Sequence, residues 1–254
     1  MTQPLPAWQQ ADWQDVANVT AGFTTRTPGA VAGAAADYGD SNLALHVGDD
    51  AESVRRNRSR LIESAGLPAA PRWLEQVHGI AVLHADSISG GEQGDAAWTA
   101  TPGVVCAVLT ADCLPVVFAE RRGRMVAVAH AGWRGLAAGV LEAALQPFRA
   151  AGISATDIRA WLGPAISAAV YEIDAPVRNA VLQSTPGGVA CFKPGRPGHW
   201  YCDLYALARV RLRAAGVATV SGGEHCTFRD GRFYSYRRSP RCGRQATFAF
   251  IQET

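Results

Sequence analysis

Residues 104–135 read VVCAVLTADCLPVVFAERRGRMVAVAHAGWRG, three Val-rich apolar runs separated by short polar or glycine-containing breaks. The runs at 104–109, 114–118 and 125–129 have strand length, and continuous apolar runs bounded by such breaks read as buried strands. Two soft donors stand at their ends, Cys113 in TADC and His130 in HAGWRG. A third candidate, His78, ends another apolar stretch in QVHG. Cysteine and histidine donors on rigid strands suit zinc, and three protein ligands leave one position for water or substrate.

The length of 254 residues fits one large domain or two small ones. No Gly/Ser linker, low-complexity tract or fixed-period repeat divides the chain, so one domain over 1–254 is expected, with 1–18 as an irregular lead-in. Hydrophobic residues make up 48%, enough for a real core. The formal net charge is +2, and the bases, all arginine except Lys193, are interspersed with acids. That gives little reason to expect nucleic-acid binding. The N-terminus lacks a basic region followed by an apolar one, so no signal peptide is expected. No apolar run approaches the roughly 20 residues of a membrane span. The six cysteines (106, 113, 191, 202, 226, 242) show no CxxC spacing, and reduced thiols in the cytoplasm are the expectation.

Residues 19–25 read as a strand ending at Arg26, followed by the Gly- and Ala-rich loop TPGAVAGAAADYGDSNLALHVGDD. A long structureless loop in a compact domain is more often functional than decorative. Asp50 caps a predicted helix that reaches Ala65 and stops at Gly66. Its arginines 55, 56, 58 and 60 form a solvated face, Arg58 being the exception if it turns inward. Residues 72–77 and 80–84 read as paired strands around His78 and Gly79. Residues 135–150 read as one helix ended by Gly152, and 158–162 as a strand running into GPAIS. Asp174 opens another helix, 184–188 is a turn, and Asp203 caps the amphipathic helix LYALARVRLRAA, stopped by Gly216. Residues 217–220 and 247–251 complete the strands. Several strands follow one another directly, which predicts mixed sheets in an α+β or α/β domain rather than a doubly wound sheet.

GxGxxG, GxxxxGK[ST] and GxSxG are all absent. His46, His84, His199 and His225 show no partner pattern. Thr110 and Asp112, just before Cys113, are candidates to orient a ligand. In HAGWRG the small residues allow a tight turn, from which Trp133 and Arg134 can project toward a substrate.

QVHG, TADCLPV and HAGWRGL, in that order, resemble the motifs of the YfiH/YlmD family. This is also called the laccase-domain or multicopper polyphenol oxidase family and, in bacteria, peptidoglycan editing factor. FTTR (23–26), SNLALHVGDD (41–50), NR (57–58), GPAIS (163–167), YEI (171–173), DL (203–204), CT (226–227) and SYRR (235–238) follow in family order, so the resemblance covers nearly the whole chain. It implies a zinc site made by His78, Cys113 and His130, with copper the other possible occupant. It also implies a layered α/β/β/α sandwich with mixed sheets, similar to a cytotoxic-necrotizing-factor-like cysteine hydrolase. The implied enzyme carries out phosphorolysis of adenosine, inosine, guanosine and methylthioadenosine, and deamination of adenosine, at one site. Its partners are then a purine nucleoside and phosphate. Three departures stand out: Ala165 where the family often has cysteine, Pro28 in a loop where glycine is usual, and Cys242 where threonine is common.

Phosphorolysis needs a phosphate clamp, for which arginine's bidentate guanidinium is suited. Arg26 and Asn42 from the long loop are the candidates, with Arg134 and Arg237. Trp133 is a candidate to stack on a purine or to pack in the core. Three other readings stay open. Cys113 as nucleophile and His130 as base would make an amide hydrolase acting on peptidoglycan precursors. A copper-dependent polyphenol oxidase needs many histidines, and this chain has six with no HxH pair. A closed structural zinc site needs a fourth donor such as Cys106, Cys191 or Cys226.

Overall fold

The computed structural model describes residues 8–13, 15–26 and 38–253. The part of the predicted loop that holds Pro28 lies outside them. Two sheets are stacked face to face. The first, in the order β1-β2-β13-β5, comprises β1 (Trp8–Gln10), β2 (Val19–Thr24), β13 (Gln245–Ile251) and β5 (Cys106–Thr110), and every pairing in it is antiparallel. The second, in the order β12-β8-β6-β7-β4-β3, comprises β12 (Thr219–Gly222), β8 (Ile158–Leu162), β6 (Leu114–Glu120), β7 (Val126–Ala131), β4 (Ala96–Thr99) and β3 (Val82–His84). This sheet is mixed, with parallel pairs at its two edges and antiparallel pairs between. A small sheet of β9 (Glu172–Asp174), β10 (Phe192–Pro194) and β11 (His199–Cys202) lies beside them.

The period-2 pattern explains the layers. Cys106 and Val108 of β5 face Val117 and Ala119 of β6 in the core between the sheets, where Phe23 and Trp161 stack with ring centroids 5.6 Å apart. Ala107 and Leu109 of β5 face outward, onto Leu61 of α1 (Ala51–Ala65). Val116 and Phe118 of β6 face the opposite outer layer, where Leu136, Leu141 and Phe148 pack with Leu207 and Leu212. That layer holds α2 (Trp133–Ala138), α3 (Val140–Ala144), α4 (Gln146–Ala150), α5 (Ala175–Ser184) and α6 (Leu204–Ala214). The result is an α/β/β/α sandwich. Strands covered on both faces carry apolar residues at both parities, which is why the central runs read as unbroken.

Local signals fix the ends of α1. The Asp50 carboxylate accepts the Ser53 N–H, and Gly66 adopts φ 57° at the C-cap, a left-handed conformation that glycine takes without strain. Such a cap contributes on the order of 1 kcal/mol. Arg55 and Arg56 are exposed, while Arg58 turns inward, stacking 4.4 Å over Trp73 and donating to the Leu43 carbonyl.

Four expectations are corrected. The segment 135–150 is three short helices rather than one. Gly139 adopts φ 100° between α2 and α3, and Pro147 follows the break at Leu145. Residues 72–77 do not pair with 80–84; they form isolated bridges at Arg72–Cys106 and Glu75–Gln93, while Val82–His84 pairs with β4. Within the predicted lead-in, Trp8–Gln10 is a strand on β2, where Trp8 packs 5.7 Å from Phe248. The strand expected at 217–220 is Thr219–Gly222, in parallel register with β8.

Candidate metal centre and active site

The chain crosses from one sheet to the other between Thr110 and Leu114, and Cys113 sits on that crossing. Asp112 beside it has φ 92°, an unfavourable angle for a side-chain-bearing residue. Its carboxylate is gripped by Thr227 Oγ1 at 2.6 Å and by the Arg237 N–H at 2.7 Å, and its carbonyl accepts the Ile166 N–H. Asp112 therefore shapes the crossing and anchors the SYRR segment; it does not orient a metal ligand, as its place in TADC suggests. Thr110 Oγ1 is buried with no hydrogen-bond partner among the described residues.

His130 belongs to β7, opposite Pro115 of β6. His78 turns the QVHG corner at φ 61° and is exposed. The donor atoms of His78, Cys113 and His130 all lie within 4.8 Å of one another. His78 Nε2 is 3.9 Å from Cys113 Sγ, and the two imidazoles meet edge-on with centroids 4.7 Å apart. Tetrahedral zinc at ordinary bond lengths asks for about 3.5 Å between a sulfur and a nitrogen ligand, so the His78–Cys113 pair is within a small inward movement of that spacing.

Asp95, at the start of β4, is fully buried beneath this trio. Its Oδ1 is 2.8 Å from His130 Nδ1 and accepts the His78 N–H at 2.9 Å. Its Oδ2 accepts the N–H groups of Gly79 at 2.6 Å and Val77 at 3.2 Å. With Nδ1 of His130 turned to Asp95, Nε2 is the atom left for Cys113 and a metal. The linear sequence gives no sign of this, since Asp95 sits in GDAAW with no motif residue nearby.

The electrostatics favour a thiolate. Burial opposes ionisation of Cys113, but the charge of His130 and hydrogen bonds from both histidines outweigh it and hold the thiol down at about 6. Burial disfavours the His130 cation, yet the Cys113 thiolate and Asp95 raise it to about 9. Cys106 and Cys202, by contrast, are buried thiols pushed upward. The donors therefore fit zinc: a ready thiolate, an imidazole of fixed orientation, and a cradle left open by Gly132, where a Cβ would stand 3.0 Å from Cys113 Sγ. Among the described residues no further His, Cys, Asp or Glu joins the cluster, and Cys106, Cys191 and Cys226 lie outside it. The arrangement is an open three-donor site rather than a closed structural one.

The trio opens into a cleft of about 580 Å³ also lined by Trp133, Tyr171, Tyr236, Arg134, Arg237 and Arg244. Among the described residues none of these three arginines has a carboxylate ion-pair partner. Each lies over an aromatic ring instead: Arg134 on Trp133, Arg237 on Tyr171 and Arg244 on Tyr236. His46 also lines the cleft; burial, then the charges of Arg244 and Arg58, lower its pKa and favour the neutral ring.

The sequence candidates thus divide. Arg134 and Arg237 face the cleft. Asn42 and Arg26 do not line it. Asn42 is fully buried, with its amide spent on Ala44, Asp49 and the Arg244 N–H, so it organises the loop and fixes the backbone of Arg244. Arg26 lies 5.7 Å from the Tyr234 ring, with its N–H on the Arg232 carbonyl. Arg244 and His46 were legible as types but had no spacing to mark them. The other histidines are used elsewhere: His84 stacks on Trp98 and pairs with Asp86, and His225 packs between Phe23 and Phe233.

Residues 20–252 match the model of the multi-copper polyphenol oxidoreductase laccase family. The chain belongs to that family. A purine nucleoside phosphorylase of Pseudomonas aeruginosa is 46% identical over 98% of this chain and 100% of its own length. The purine nucleoside phosphorylase YfiH of Escherichia coli is 42% identical over 94% of this chain and 96% of its own. Among solved structures, YlmD from Geobacillus stearothermophilus superposes with a TM-score of 0.89 at 31% identity, covering 99% of this chain and 98% of that one. A Neisseria meningitidis protein, NMB0706, gives a TM-score of 0.88 at 41% identity, covering 97% and 99%. The family's description speaks of several coppers, whereas this fold brings together three donors, enough for a single ion.

Proposed function

We propose that this family member is a zinc-dependent purine nucleoside enzyme that cleaves adenosine, inosine, guanosine and methylthioadenosine with phosphate and deaminates adenosine at the same centre. The observation that carries the reading is the convergence of three carboxylate-free arginines on the cleft that holds the His-Cys-His trio. The relatives named purine nucleoside phosphorylase support it. In phosphorolysis a phosphate oxygen bonds to the ribose C1′, the glycosidic C–N bond breaks, and the purine leaves with the electron pair and takes up a proton. Arg134 and Arg237 hold and orient the phosphate through charge-assisted hydrogen bonds. Trp133, Tyr171 and Tyr236 offer faces for the base, Tyr236 standing 55% exposed at the cleft. His46, favoured as the neutral ring, is placed to meet a hydroxyl or the purine edge. Bound zinc supplies a Lewis acid at the open position beside His78, Cys113 and His130.

The test is turnover of adenosine by metal-quantified protein with and without phosphate, in wild type and Cys113→Ala. Phosphate-dependent release of adenine, or formation of inosine, that scales with zinc content is the expected result. No turnover of any of the four nucleosides by fully zinc-loaded protein refutes the reading.

A specific observation favours a second reading. Cys113, His130 and Asp95 form a thiolate–imidazole–carboxylate relay of the kind used by cysteine hydrolases. An amide hydrolase on peptidoglycan precursors would release amine from a muropeptide without metal, and Cys113 would be covalently trapped by an electrophilic amide analogue.

A further inference from the structure

We propose that Asp95 is the positioning residue of the metal centre, a single carboxylate that sets both histidine donors at once. The inference rests on the metal reading above and concerns how the chain prepares the site. The two oxygens divide the task. Oδ1 fixes the ring of His130 through Nδ1 and also takes the His78 N–H. Oδ2 takes the N–H groups of Gly79 and Val77 and so holds both sides of the QVHG corner. The Asp95 backbone adds to the grip, since its carbonyl accepts the His130 N–H.

The corner needs such an anchor. His78 is exposed and sits at φ 61°, a conformation costing about 1 kcal/mol or more for a residue with a Cβ. Its ring touches the rest of the protein on the side of His130 and Cys113, and its neighbours Val77 and Ile80 are 49% and 46% exposed. The carboxylate concentrates three consecutive N–H groups on one buried point, which selects the strained turn and aims His78 at Cys113. The other carboxylate near the trio, Asp112, is already taken by Thr227 and Arg237.

All four groups that Asp95 meets are N–H donors when His130 carries its proton on Nδ1. An asparagine offers one acceptor oxygen and one NH2, so in either orientation an NH2 faces donors. If its oxygen keeps His130 and the His78 N–H, the Val77 and Gly79 N–H groups lose their acceptor; if its oxygen keeps those two, His130 and the His78 N–H lose theirs. Asp95→Asn is therefore disruptive to the metal centre although it preserves shape.

The test measures zinc affinity by chelator competition, the visible spectrum of the cobalt(II)-substituted protein, and thermal unfolding of the metal-free protein, for wild type and Asp95→Asn. The expected result is a loss of about 10- to 100-fold in zinc affinity and an altered cobalt spectrum, with cooperative unfolding of the metal-free variant retained. Equal affinity and an unchanged cobalt spectrum overturn the proposal while leaving the metal reading intact. Wild type that binds no zinc overturns both. Should the variant not fold, imidazole ¹⁵N spectra of zinc-loaded wild type decide: metal on His130 Nε2 with the proton on Nδ1 supports the role, and metal on Nδ1 overturns it.

Discussion

Gln76 and Leu109 are joined by two hydrogen bonds, the Gln76 amide donating to the Leu109 carbonyl at 2.8 Å and accepting the Leu109 N–H at 2.7 Å. A side chain here does what a neighbouring strand would do, at the edge of the four-stranded sheet where, among the described residues, β5 has beside it no further strand and only the isolated bridge of Cys106 to Arg72. It also ties the QVHG corner to that sheet, while Asp95 ties it to the other. Gln76→Ala leaves both Leu109 groups unpaired, and we expect a loss of about 1–3 kcal/mol in stability together with weaker zinc binding. Denaturant titration and chelator competition on the same variant check both.

Gly132 is required by the site and not by its backbone angles. It has φ −65° and ψ 166°, open to any residue, but a Cβ would stand 3.0 Å from Cys113 Sγ and 3.2 Å from His78 Cδ2. Gly132→Ala should fold with near wild-type melting temperature and bind zinc about tenfold more weakly, a cost of about 1.4 kcal/mol. Unchanged affinity would mean that the trio can spread at no cost.

The thiol chemistry has a pH signature in metal-free protein. Because Cys113 is held at about 6 rather than near the ordinary 8.5, its thiolate persists well below neutral pH. Protonation as pH falls through about 6 removes the nucleophile. Iodoacetamide labelling of Cys113, followed by mass spectrometry, should rise through a midpoint near 6, and zinc should protect it. A midpoint near 8.5 would show that His130 and His78 do not stabilise the thiolate.

Arg134 and Arg237 are expected to act on phosphate. Either one changed to Gln should raise KM for phosphate about tenfold with less effect on KM for the nucleoside, the modest size following from their exposure. Asn42→Ala gives the opposite pattern: its buried amide holds the loop, so the melting temperature falls while the phosphate KM moves less. Steady-state kinetics beside thermal melts separates the two.

Much of the site was legible because its chemistry is local. The trio lies in three short motifs, and strands are the elements that bring such motifs together. The helix caps at Asp50, Asp174 and Asp203 were readable for the same reason, each being a one-turn interaction. What escaped depends on pairing across the fold. Asp95 acquires meaning when β4 lies beside β7, and Gln76 when the corner meets β5. The strand at Trp8–Gln10 is too short to show a period, and its place is set by β2. The break at Gly139 was missed because the apolar spacing on either side continues as if the helix did.

The short passage from Thr110 to Leu114 has a mechanical consequence. The three donors that meet there are referred to both layers: Cys113 to the crossing itself, His130 to the six-stranded sheet, and His78 to each sheet through Gln76 and Asp95. An ion held there is a rivet through the sandwich, and its grip depends on how far apart the plates stand. Substitutions deep between the layers, at the stacked Phe23 and Trp161, would then be felt at the cleft as changes in metal retention, though neither ring lines it.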